Sequence, residues 1–80
     1  GSGSWIIDNG TGGLVLASNS LSIKNAAYNE QMITAYENGA VELYHDNNKK
    51  LETTSSGVTV TGTITGTLAS TATGTTQSAG

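Results

Sequence analysis

Short runs in which every second residue is apolar, broken about every ten residues by turn-forming text, constrain this chain more than any other feature. Leu14 and Leu16 alternate with Val15 and Ala17, and Leu21 and Ile23 with Ser22 and Lys24. Val41 and Leu43 alternate with Glu42 and Tyr44, while Val58, Val60 and Ile64 share one parity with Gly62 between them. A period of two places successive side chains on opposite faces, so each run predicts a strand with one apolar and one polar face. Residues 26–36 have tolerable helix propensity, yet Ile33-Thr34-Ala35-Tyr36 alternates and is assigned to strand. Thr at every second place after Val58 favours strand through β-branching, with Gly62 and Gly66 as points of kink or close approach.

The punctuation fits the same class. Asp8-Asn9-Gly10 with Gly12-Gly13, then Ser18-Asn19-Ser20, Asp46-Asn47-Asn48 and Ser55-Ser56-Gly57 mark corners. Asn38-Gly39, between runs at 33–37 and 40–44, is the strongest local turn signal, because Asn and Gly accept the positive φ of tight turns. Strands of about five residues at spacings of about ten predict an all-β meander, barrel or β-solenoid.

Such strands need something to cover their apolar faces, and here composition decides. Of 80 residues 35% are hydrophobic, with no Phe, Cys or Pro, and Gly, Thr, Ser and Asn fill half the chain. One copy has too few aliphatic side chains to offset the cost of ordering its backbone, and no disulfide can staple it. Three copies around a common axis solve this, since each apolar strand face meets two others and strand edges pair between chains. The expected fold is therefore all-β, an elongated intertwined homotrimer. Its axial core is expected at Leu14, Leu16, Leu21, Ile23, Ile33, Val41, Leu43, Val58, Val60 and Ile64. Trp5 is expected to cap the N-terminal end of that axis.

Net charge of -3 favours neither nucleic acid nor an anionic membrane as partner, and 11% charged residues is low for a disordered chain. No apolar run approaches a membrane span, and no secretion signal is evident. Residues 1–4, Gly-Ser-Gly-Ser, read as a tag or linker remnant, 5–70 as the β-rich segment, and 71–80 as a low-complexity tail that frays or connects onward. The absence of Cys fits assembly in the cytosol.

One stretch is more specific. Ala35-Tyr36-Glu37-Asn38-Gly39-Ala40-Val41-Glu42-Leu43-Tyr44-His45-Asp46-Asn47-Asn48-Lys49-Lys50-Leu51-Glu52-Thr53-Thr54, followed by Gly57-Val58-Thr59-Val60-Thr61-Gly62, resembles stalk segments of bacteriophage tail fibre and tail spike proteins, those of marine and cyanobacterial phages above all. The resemblance covers about residues 5–67. It implies a trimeric fibre shaft of triple-stranded β-helix or β-prism type in the virion, adjoining other fibre domains that carry host attachment. His45, where the family more often has Tyr, and the Thr/Ala/Ser-rich C-terminal run depart from that pattern.

The chemistry the residues offer is sparse. His45 shares parity with Val41 and Leu43, so three axial imidazoles would be the one route to a metal or anion site; an imidazole hydrogen-bonded at a strand end is the plainer reading, and no cofactor is expected. His45 and Asp46 are adjacent and there is no Gly-x-Ser-x-Gly elbow, which weighs against a triad and an enzyme. The carboxylates of Asp8, Glu30, Glu37, Glu42, Asp46 and Glu52 are read as a solvated outer face rather than a glycosidase pair, with Glu42 pairing to Lys49 or Lys50 across strands. Tyr44 and Tyr28 are the candidates for stacking on a host surface glycan, the alternative function being a glycan-binding module; packing between chains competes with that role.

Overall fold

The computed structural model describes residues 2–67; the expected tail at 71–80 lies outside the described residues. Five strands follow one another: β1 Ser20–Lys24, β2 Gln31–Tyr36, β3 Val41–His45, β4 Asn48–Thr54 and β5 Gly57–Val60. They form one open antiparallel sheet in the order β1-β2-β3-β4-β5, each strand paired with its sequence neighbours. The all-β meander expected from the period-two runs is thus present, and no helix forms among the described residues.

Turn chemistry sets the register. Asp46 and Asn47 carry φ of 55° and 68° and join β3 to β4 as a two-residue loop, the doubly left-handed geometry whose twist matches the flanking strands. Asn48 Nδ2 donates to the Asp46 carbonyl at 3.0 Å, and Asn47 Oδ1 accepts the backbone N–H of Gln31 at 3.0 Å, tying this loop to the start of β2. At the β2–β3 turn it is Asn38, φ 55°, that takes the left-handed conformation. Gly39 has a different task there: a Cβ on it would lie 3.1 Å from Tyr36 Cβ, so a larger residue would crowd the turn. In the β1–β2 loop the Asn25 side chain accepts the N–H groups of Asn29 and Glu30 at 3.0 and 2.9 Å.

The pairing aligns two rows across all five strands. Ile23, Ile33, Leu43, Leu51 and Val60 lie side by side on one face, and Ser22, Thr34, Glu42, Glu52 and Thr59 on the other. Irregularities at Ile23/Lys24 and Leu43/Tyr44 each place an extra residue, Met32 and Lys50, in the longer partner strand. Among the described residues no hydrophobic side chain is buried; the buried ones are Thr34, 3% exposed, and Glu42, 8% exposed. The polar face is the covered one because its long side chains lie over each other, whereas nothing lies over the apolar face.

Two expectations are corrected. Residues 14–17 form no strand: 2–19 run as an arm without strand pairing, and Leu14 and Leu16 stay exposed. The arm leaves the sheet at Asn19, whose carbonyl and Nδ2 are both engaged by Glu37, at 2.9 and 2.8 Å, so the preceding residues have no strand beside them. The Thr-rich run is not a continued strand either. Thr61 still donates to the Lys50 carbonyl at 2.9 Å, but Gly62 at φ 117° turns the backbone out of the ladder and leaves Ile64 exposed beyond it. Within the chain β2, β3 and β4 are hydrogen-bonded on both sides, because the short turns bring sequence neighbours together, and β1 and β5 form the edges of the sheet.

Candidate functional site

The sheet presents two chemically opposite surfaces. On the apolar face Leu21, Ile23, Val41, Leu43 and Val58 are exposed, and Ile33, Ala35, Leu51 and Val60 are half-buried between them. Of the residues expected in an axial core, seven therefore share one face: Leu21, Ile23, Ile33, Val41, Leu43, Val58 and Val60. Leu14 and Leu16 lie in the arm and Ile64 beyond β5. A contiguous apolar patch is a candidate interaction surface.

The polar face carries a closed network. Glu42 and Glu52 stand directly opposite each other on β3 and β4, an arrangement that like charges disfavour. Lys49 resolves it by reaching Glu42 Oε2 at 3.2 Å and Glu52 Oε2 at 3.3 Å. The Tyr44 hydroxyl donates to Glu42 Oε1 at 2.7 Å, so both oxygens of this carboxylate are engaged. Beside it the Thr34 hydroxyl donates to Gln31 Oε1 at 3.2 Å. Glu42 is thus no solvated outer carboxylate, as the alternation alone suggested; its expected pairing with a lysine falls to Lys49. Thr34 and Gln31 drew no attention in the sequence. The signal that finds the cluster is the Asp46-Asn47 turn, which once placed brings Tyr44 opposite Lys49 and Glu42 opposite Glu52.

Tyr44, a candidate for sugar stacking, is half-buried with its hydroxyl committed to Glu42. Tyr28 is exposed in the β1–β2 loop at φ 64°, and Lys24 Nζ sits 4.9 Å from its ring centroid. His45 is exposed at the end of β3, opposite Asn48. Among the described residues no three His, Cys, Asp or Glu side chains come together.

The network also fixes how stability responds to pH. The Tyr44 hydrogen bond, then Lys49, holds the Glu42 carboxyl below its ordinary 4.5. The bond to Glu42 raises Tyr44 above 10.0, and the bonds to Glu42 and then Glu52 raise Lys49 above 10.5. A lowered carboxyl adds stability above its unfolded value that is lost as pH falls through the folded one; raised Tyr and Lys groups add stability below their unfolded values that is lost as pH rises through the folded ones. Urea midpoints are therefore expected to be level from above pH 4.5 to below pH 10 and to fall on both sides. In Tyr44→Phe the acid-side loss becomes smaller, because the main cause of the Glu42 shift is gone. An unchanged acid limb would show that Glu42 does not depend on this hydroxyl.

No protein-family model, curated protein or solved structure matches this chain.

Proposed function

We propose that this chain is a structural segment of a trimeric phage tail fibre or tail spike shaft, which holds a receptor-binding tip for host attachment and performs no catalysis itself. The observation that carries the reading is the uncovered apolar row Ile23, Ile33, Leu43, Leu51 and Val60, which crosses all five strands of a sheet that has no buried hydrophobic residue. Three such sheets with their apolar faces turned inward make a three-sided prism, each side one meander. The short turns inside each chain favour this β-prism over a triple β-helix, whose strands pair between chains. The resemblance of residues 35–62 to fibre stalks supplies the virion setting.

The polar face supports a passive role as well. Tyr44 is hydrogen-bonded to Glu42 and Lys49 bridges Glu42 to Glu52, so the tyrosine expected to stack on a glycan is committed within the chain.

The test is the solution mass by light scattering over a range of concentrations. Three chains of 8.1 kDa, 3 × 8.1 or about 24 kDa, are expected. A mass of one chain at every concentration would overturn the reading, and saturable binding to host polysaccharide would move it to the glycan-binding alternative.

A further inference from the structure

The apolar sheet face is too small to hold copies together by itself. A large aliphatic side chain exposes roughly 60–120 Å² when free. Leu21, Ile23, Val41, Leu43 and Val58 are 37–61% exposed, which amounts to about 130–270 Å². Stable interfaces bury about 800 Å² per partner, a little over half of it apolar, so these five side chains supply roughly a third to a little over half of what is needed. The missing area is in the arm. Trp5, Ile6, Ile7, Leu14, Val15 and Leu16 are 56–80% exposed and together offer about twice the apolar area of the sheet face.

A receptor for it stands where the arm joins the sheet. Leu16 and Ala17 from the arm, Leu21 from β1 and Ala35 and Tyr36 from β2 line an open, mostly apolar pocket of about 440 Å³, continuous with the apolar face through Leu21 and Ala35. Pockets that take whole small ligands start at about 300 Å³, so a bulky side chain has room. Its best occupant within the chain is Trp5-Ile6-Ile7, three consecutive large apolar residues each at least 74% exposed and without a charge among them.

We propose that the arm of one copy crosses to the next and seats Trp5 in that copy's pocket between Leu16, Leu21 and Ala35. Each copy then donates one arm and accepts one, a head-to-tail relation that three copies close into a ring. The inference rests on the association of copies proposed above and names the contact that holds them.

Trp5 is the only tryptophan of the chain, so its fluorescence reads this contact directly. Acrylamide quenching and light-scattering mass are measured together on the full chain across a dilution series. Trp5 is expected to be shielded in the associated form and to become quenchable in step with dissociation. Trp5→Ala is expected to weaken association about thirtyfold, as removal of an interface hot spot does. Leu16→Asn is expected to make Trp5 quenchable at concentrations where the parent chain is shielded. Both variants lie outside the sheet, so circular dichroism should retain its β signal. A mass of three chains with Trp5 freely quenched would overturn the arm exchange and leave the trimer standing. Single chains at every concentration would overturn both, and Trp5 shielded in single chains would place the arm in its own pocket.

Discussion

Light scattering of Leu43→Asp is expected to return the mass of one chain, 8.1 kDa, under conditions where the proposed trimer of the parent chain is expected. Leu43 stands in the middle of the apolar row, between Ile33 and Leu51, and is 42% exposed, so within a single chain the new carboxylate still reaches water. Turned inward among three copies it would meet two identical charges in a dry axis. An uncompensated charge at such a place costs about several kcal/mol per copy, enough to dissolve the contact. Ser55→Asp, in the β4–β5 loop, adds the same charge away from the row and should leave the mass unchanged. If Leu43→Asp remained three chains, this face would not be the one that associates.

The second large effect is expected at the β3–β4 turn. Asn47→Val places a β-branched residue at φ 68° and removes the oxygen that accepts the Gln31 N–H. The left-handed conformation costs an ordinary residue roughly 1–2 kcal/mol and a lost hydrogen bond about 1 kcal/mol more, a total of about 2–3 kcal/mol. For a chain of this length that lowers the melting temperature by about 10–20 °C. Asn47→Gly separates the two causes, since glycine accepts the backbone geometry but not the hydrogen bond; about 1 kcal/mol should be lost. Equal losses in both variants would show that the backbone conformation is not what limits this turn.

Four of the five strands were legible because alternation and turn residues agree there: Leu21/Ile23, Ile33/Ala35, Val41/Leu43 and Val58/Val60 all fall on the face their spacing predicts, whereas β4 was missed, since Leu51 has Lys49 and Thr53 two residues away and no apolar alternation marks it. The same alternation misled at Leu14/Leu16 and after Val60. Period two states which face a residue would take in a strand, but a strand also needs a partner beside it, and neither segment has one. The turns were only partly legible. Asn38-Gly39 looked strongest, yet the doubly left-handed loop is Asp46-Asn47, where the side chains of Asn47 and the following Asn48 also bind the backbone. The polar cluster was the least legible part. Alternation sends Glu42 to the side away from Leu43 and says nothing of what else is there, and only the register across the turn brings Lys49 and Tyr44 to it.

That every strand bonds to its immediate successor bears on the order in which such a shaft is made. Each hairpin closes a loop of a few residues, so the meander has a low contact order and the sheet can form within one chain before any other copy arrives. Its polar face ties itself together during that step. In the proposed trimer, association would then be a separate, bimolecular stage whose pace depends on how many finished sheets are present rather than on how fast each one folds.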